Sequence, residues 1–300
     1  MKKLLLILVL LSVYRANAQN TDRTKLLADI ETLSADKYEG RKTGTQGNRM
    51  AARYIINRFK ESGLKPFNED FEHLFPFKNT KNEEIKGTNL IAYIKGRSEE
   101  MILISAHYDH VGINNSTIFN GADDNASGVA AILAIAEYFK KHKPKNTLLF
   151  IACDAEEMGL QGAYAFLKDP VTAKDKIRLN INLDMVSHNE KSELYAAGSY
   201  KTPVLKKILK DSDKDTGINI RFGHDVPGTG HEDWTMQSDH GPFAKESIAF
   251  VYFGVEDHQD YHRPSDIYAN INQDFFYSAS NAILRSIIIL DKSLDLINPN

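Results

Sequence analysis

The sequence predicts an α/β fold of three layers: a mostly parallel, mixed central sheet with helices on both faces. Three observations predict it. Short apolar runs at 89–94 and 101–106 are bounded by Gly and charged residues, as buried strands are, and further strand patterns follow at 147–153, 177–186 and 248–253. Stretches with apolar residues at helical spacing lie between them. No Pro/Ser/Gly-rich linker divides the series, so one domain over 19–300 is expected.

The elements follow in order. Residues 21–33 place Leu26, Leu27, Ile30 and Leu33 at helical spacing, and 46–59 do the same with Ala51, Tyr54, Ile55 and Phe59. Between them Glu39, Gly40, Arg41, Lys42, Thr43 and Gly44 read as a turn-rich linker. Residues 89–94 and 101–106 suit buried strands. Then come a helix at 126–139, a strand at 147–153, a helix at 161–167, a strand at 177–186, a helix at 203–209, a strand at 248–253 and a long closing helix at 275–296. Residues 222–240 are rich in Gly, His and Asp and follow neither period, which predicts a long functional loop.

The ends of the chain and its composition bound the setting. Lys2 and Lys3 precede a ten-residue apolar run at 4–13 and then Ala16-Asn17-Ala18, the pattern of a signal peptide over 1–18. Spanning a bilayer takes about 20 apolar residues, so no membrane span is expected after cleavage, and the protein is expected in the periplasm or the external medium. Loss of Lys2, Lys3 and Arg15 leaves 34 basic against 40 acidic residues, a net charge of −6. That balance gives no reason to expect nucleic acid as a partner. Cys153 is the single cysteine, so no intrachain disulfide forms, and its apolar run marks it as a small buried side chain.

In a sheet of this kind ligands bind beyond the carboxyl ends of the strands. The run 101–106 ends in His107-Tyr108-Asp109-His110, and 148–153 ends in Asp154-Ala155-Glu156-Glu157. The run 179–183 ends in Asp184, and 248–253 leads within nine residues to Tyr261-His262. A further piece, Gly121-Ala-Asp-Asp-Asn-Ala-Ser-Gly128, sits at a helix start. Two His and three carboxylates exceed one tetrahedral zinc site and suit two ions about 3.5–4 Å apart that share a carboxylate. By spacing alone, Asp123 and Asp124 are interchangeable as the shared group.

The strings H-Y-D, G-A-D-D-N-A-S-G, D-A-E-E-M-G-L-Q-G, N-L-D-M, S-D-H-G-P-F and Y-H-R-P-S-D occur here in that order. Together they resemble the dinuclear zinc aminopeptidase family, the bacterial leucyl-type aminopeptidases to which glutaminyl cyclases are related. The resemblance runs from about Asp36 to Asp266 and is strongest from His107 onward. It implies a first zinc on His107 and Asp184, a second on Glu157 and His262, and Asp124 bridging them. It implies Glu156 as general base and Tyr261 as hydrogen-bond donor to the oxyanion. The expected activity is hydrolysis of N-terminal residues from peptides with free N-termini by an exported zinc metallo-aminopeptidase. Glutaminyl cyclases resemble G-A-T-D-S-A in the bridging region and carry Trp ahead of the last His. Gly121-Ala-Asp-Asp-Asn-Ala126 and Tyr261 favour two metals and hydrolysis, with cyclase, carboxypeptidase or another amidohydrolase as the alternative.

Other signals weigh less. Asp109 is expected to fix the tautomer of His107, and Asp239 and Asp266 to orient further ligands. Asp123 suits a helix cap. Asp211-Ser-Asp-Lys-Asp-Thr-Gly217 resembles the start of a calcium loop, but Thr216 and Phe222 stand where Gly and Glu are required, so a solvated acidic turn is expected. His231-Glu232-Asp233 is expected to shape a pocket, with Trp234 as an apolar wall. His110, His224, His240 and His258 read as structural or solvent-facing, and His73, His142 and His188 carry no signal. Asn125-Ala-Ser127 fits a glycosylation acceptor, yet a glycan there would block the metal motif.

Overall fold

Val-, Ile- and Leu-rich runs that are apolar at every position need cover on both faces, and parallel strands provide it. A computed structural model describes residues 20–297, and the leader expected at 1–18 lies outside them. The strands are β1 (Lys65–Pro66), β2 (Glu72–Lys78), β3 (Glu84–Ile94), β4 (Met101–His107), β5 (Gly112–Asn114), β6 (Thr117–Phe119), β7 (Thr147–Cys153), β8 (Ile177–Leu183), β9 (Glu193–Ala197), β10 (Asn219–Phe222) and β11 (Ala249–Gly254). The helices are α1 (Arg23–Leu33), α2 (Gln46–Glu61), α3 (Gly128–Lys141), α4 (Gln161–Lys168), α5 (Val204–Ile208), α6 (His240–Lys245) and α7 (Gln273–Ser293).

The main sheet runs β1-β3-β7-β4-β8-β11-β9-β10, with β2 also on β3 and β5 and β6 in a separate hairpin. Its centre, β7-β4-β8-β11, is parallel, while β3 and β9 flank it antiparallel. Side chains alternate across it as the strand period requires. Ile102, Ile104, Leu148, Phe150 and Ala152 join the large core beneath α1, α2, α3 and α7. Leu103, Leu149, Ile151 and Cys153 join the smaller core under α4 and α6, against Phe166 and Phe243. Cys153 is thus buried in a strand. No described helix is long and apolar enough to cross a membrane.

Several boundaries differ from expectation. Helix α3 begins at Gly128, because residues 122–127 form an irregular turn that delivers the bridging motif. Strand β8 stops at Leu183, and Asp184 is the first residue past it, its N–H still donating to the Phe253 carbonyl at 3.0 Å. The sequence reading passed over β2, β9 and β10. Strand β2 is an edge strand that tolerates Pro76, and β9 and β10 are too short for a clear period. The expected linker at 39–44 is instead packed into the protein. Gly40 stands at φ +62°, where an added Cβ would lie 2.2 Å from the Phe119 carbonyl oxygen. Arg41 beside it is fully buried.

Helices α1 and α2 are clamped by charge. Arg58 donates from Nε and Nη2 to the two oxygens of buried Asp29, at 2.7 and 2.9 Å, and the Tyr54 hydroxyl donates to the same carboxylate at 2.6 Å. Removing one partner of such a pair strands a buried charge. Arg58→Met is therefore expected to lower unfolding free energy by about 3–5 kcal/mol in urea titrations. Arg58→Lys, lacking the planar fork, should recover only part of the loss.

Candidate metal centre

The registers of the parallel strands set the site. His107 pairs with Cys153, Ser105 with Asn182 and Phe253 with Leu183, so the residues that follow these strands leave the sheet at one edge. His107 ends β4 with its Nδ1 3.1 Å from the Asp109 carbonyl oxygen. Donation to that carbonyl leaves Nε2 free to face the site, 3.3 Å from Asp124 Oδ1 and 3.3 Å from Asp184 Oδ1. On the other side, His262 Nε2 lies 3.0 Å from Asp124 Oδ2 and 3.4 Å from Glu157 Oε2. Asp124 thus presents one oxygen to each His–carboxylate pair.

These spacings can be tested against zinc. Bonds of about 2.0–2.1 Å in a tetrahedron set adjacent donors about 3.3–3.4 Å apart. The two His107 separations match this, and those of His262 bracket it, so both donor sets fit the ion. His107, Glu156 and Asp184 form one group able to hold a metal, and His110, Asp124, Glu157 and His262 form another. All five expected ligands are therefore brought together. His110, expected to be structural, joins them with Nδ1 2.8 Å from Glu157 Oε1. The His-x-x-His spacing of 107 and 110 past a strand is the signal that could have found it.

The surrounding carboxylates hold the loops. Asp266 accepts the N–H groups of Asp123 and Asp124 at 2.8 and 3.0 Å, which fixes the bridging turn. Asn125 is fully buried, its amide donating to the Leu183 carbonyl and its oxygen accepting from Gly128 N–H, so it is closed to a glycan. Asp109 fixes the tautomer of His107, as expected, and does a second task besides. Its backbone carbonyl faces His107, while its carboxylate accepts the N–H groups of Glu156 and Glu157 at 3.0 and 3.3 Å. Asp123 is no helix cap: it accepts from Ser187 N–H and Oγ at 2.6 and 2.7 Å, and its other oxygen lies 3.0 Å from His258 Nε2. Among the described residues Asp239 takes no hydrogen bond from an expected ligand; it lies beside the Cys153 thiol, and burial pushes its carboxyl up to about 7.

Missed altogether was Arg41. Its guanidinium donates to the carbonyls of Tyr108, Leu33, Asn120 and Gly121 at 2.6–2.8 Å, which ties the loop after β4 to the loop before the bridging turn. Burial pulls its pKa down to about 10 against the pull of Asp266, Asp124, Asp109 and Glu157. The carboxylates respond to their neighbours. Burial and the charges of Asp184, Asp239 and Glu157 push Glu156 well up, although His107 opposes them. Burial would raise Glu157 too, but hydrogen bonds with His110 and His262 bring it to about 2.

The mouth of the site carries Tyr261, stacked on His262 with ring centroids 4.0 Å apart, and Met185, Val255 and Asp257. Trp234 forms a wall, as expected. It stacks on His224 at 3.7 Å, edges against Tyr195 and Tyr252, and offers its carbonyl oxygen 2.9 Å from His240 Nε2. His231 is solvent-facing, and Asp213 in the acidic turn accepts the Ile220 N–H. A third group, His188, His258 and Asp260, lies nearby. Its imidazoles stack 4.0 Å apart with planes 8° from parallel, so one ion cannot lie in the plane of both rings.

Residues 89–287 match the family described as Peptidase family M28. The Alkaline phosphatase isozyme conversion protein of Escherichia coli (strain K12) is 28% identical over 207 residues, 64% of this chain and 58% of that protein. The chain therefore spans less than two thirds of that relative. A glutaminyl cyclase from Bacteroides thetaiotaomicron, solved bound to N-acetylhistamine, superposes with a TM-score of 0.75 at 19% identity, covering 91% of this chain and 99% of that one. A leucine aminopeptidase precursor from Bacteroides thetaiotaomicron VPI-5482 gives 0.73 at 19% identity, covering 91% and 98%. The architecture is the α/β fold of the zinc exopeptidases, as the sequence predicts.

Two outcomes follow from the site's supports. Arg41→Met leaves four carbonyls without a donor and is expected to cost at least about 3 kcal/mol in urea unfolding. The loss should be larger in metal-stripped than in zinc-loaded protein, because bound cations also offset the carboxylates. His240 is buried, with Nδ1 unpartnered, and burial lowers its pKa to about 3. A folded value below the unfolded 6.5 means the stabilisation is complete above about pH 6.5 and is lost as pH falls towards 3. At pH 5 the loss should be about 2 kcal/mol in metal-stripped protein, and His240→Phe should remove this part of the slope.

Proposed function

The chain belongs to peptidase family M28, and from that membership we propose that it is an exported, two-zinc aminopeptidase acting on peptides with free N-termini. The observation that carries the reading is Asp124, with one oxygen facing the His107–Asp184 pair and the other facing Glu157 and His262. Zinc held by these donors would act as a Lewis acid and bring the pKa of water towards neutrality.

The chain's own residues supply the rest. Glu156 stands in the cleft with its backbone N–H fixed by Asp109, so its carboxylate is held beside the ligands without being needed as one. In the proposed reaction it takes the proton from the attacking water and passes it to the leaving amine, which breaks the first peptide bond. Tyr261 donates a hydrogen bond from its hydroxyl to the tetrahedral oxyanion. Burial and the charges of Asp124, Asp184 and Glu157 raise its pKa, which keeps that proton in place. Met185, Val255 and Trp234 line the space for the N-terminal side chain. Export rests on the pattern of residues 1–18.

Similarity to a glutaminyl cyclase supports a second reading, cyclisation of N-terminal Gln on one metal. A single experiment separates the two. Zinc-loaded protein is incubated with a panel of aminoacyl chromogenic substrates, free and blocked peptides and an N-terminal Gln peptide, with metal content measured on the same sample. Release of N-terminal residues from free peptides with two zinc per chain is expected. Loss of ammonia from the Gln peptide with one zinc would establish the cyclase, and cleavage of blocked peptides only would point to another amidohydrolase. Glu156→Gln is expected to keep its zinc and lose on the order of 10²–10⁴ in kcat, whereas Glu157→Gln should lose zinc.

A further inference from the structure

The two sides of Asp124 are not equal. Besides Asp124, the His107 side offers His107 and Asp184, with Glu156 assigned to proton transfer, and the other side offers Glu157, His262 and His110. His110 is fully buried, and its ring is fixed by close packing on Gly121, where an added Cβ would lie 2.6 Å from the imidazole. Its Nδ1 points into the site, 2.8 Å from Glu157 Oε1 and 3.7 Å from Asp124 Oδ2. The donor atoms of His110, Asp124, Glu157 and His262 all lie within 4.8 Å of one another. The separations straddle the edge of about 3.3–3.4 Å that a zinc tetrahedron requires.

Protonation permits ligation. His110 Nε2 has no hydrogen-bond partner among the described residues. Moving the ring proton to Nε2 therefore breaks no bond on that side and frees the Nδ1 lone pair. His107 is set in the complementary way, its Nδ1 proton held by the Asp109 carbonyl so that Nε2 is the donor. The two histidines flank one strand end and offer opposite nitrogens to opposite sides of Asp124.

We propose that His110 is a fourth protein ligand of the Glu157–His262 metal, closing that site so that it binds zinc more tightly and fills first. The His107–Asp184 site keeps open positions beside Glu156. Sites with four protein donors are the closed kind, whereas catalytic sites keep a position for water or substrate. The inference rests on the two-metal reading above, and its test does not depend on turnover.

Metal-stripped full-length protein is titrated with zinc against a chromophoric chelator, and crystals are grown with less than one zinc per chain. Two classes of site at least about tenfold apart in affinity are expected. Anomalous density should appear first among His110, Glu157 and His262, with His110 Nδ1 about 2.0–2.1 Å from the ion. His110→Ala should weaken the tight class by on the order of 100-fold, and His110→Asn, which keeps a donor atom near the Nδ1 position, should weaken it less. The far-UV spectrum and the weaker class should be unchanged in both. A first zinc on His107 and Asp184, an Nδ1–zinc distance beyond about 3 Å in the loaded crystal, or titrations unaltered in His110→Ala would overturn the proposal. Zinc binding in the expected order without peptide cleavage would defeat the aminopeptidase reading and leave this assignment standing.

Discussion

Repulsion among acidic groups crowded at one end of the sheet is the constraint on which the rest of this structure depends. Asp109, Asp123, Asp124, Asp154, Glu156, Glu157, Asp184, Asp239 and Asp266 all lie there, buried or half-buried. Carboxylates in such surroundings stay ionised only when each is answered by a positive charge or by N–H groups. The protein divides the task. Those turned away from the centre hold backbone: Asp154 takes bonds from Thr43, Asn48, Thr88 and Ala155, and Asp266 takes two from the bridging turn. Asp124, Glu157 and Asp184, turned inward, face histidines across the space a metal would fill. Arg41 lies buried under both sets, and its four bonds to carbonyl oxygens keep the loops from moving apart.

What could be read from the sequence follows from how local each signal is. The central strands β4, β7 and β11 were legible because burial on both faces leaves a nearly unbroken apolar run, and β8 because Ile177, Leu179, Ile181 and Leu183 alternate with polar positions. The donors that close those runs were legible because strand ends gather at one edge. Asp123 and Asp124 could be told apart only through resemblance to a family, since their opposite directions come from Ser187 and Asp266, both remote in sequence. Arg41 was invisible for the same reason: its acceptors are at 33, 108, 120 and 121, and a basic residue among Gly and Thr looks like a turn. His110 was discounted as a lone histidine although it shares a strand end with His107. The link from Asp109 to His107 was legible from their spacing, whereas its passage through the backbone carbonyl was not, because side-chain identity says nothing of a carbonyl's direction.

A leucine aminopeptidase precursor and a glutaminyl cyclase share this fold, so the sheet alone does not fix the chemistry, which lies with the walls of the pocket. The aperiodic stretch 222–240 contributes Trp234 and Gln237 to that wall. It gains order from aromatic stacking, with Trp234 held among His224, Tyr195 and Tyr252, and from His240 beneath it.

The strand registers carry one more consequence. His107, Glu157 and Asp184 follow three different strands, and His262 follows a fourth after a short loop. A slip of one residue in any of these strands would turn its side chains to the opposite face and carry its donor about 3.3 Å along the strand, roughly a whole donor–donor edge. A chain misthreaded at one strand could still bury much of its apolar surface but would have no complete set of ligands. Metal held by these donors would therefore favour only the chain in which the four alignments are correct together.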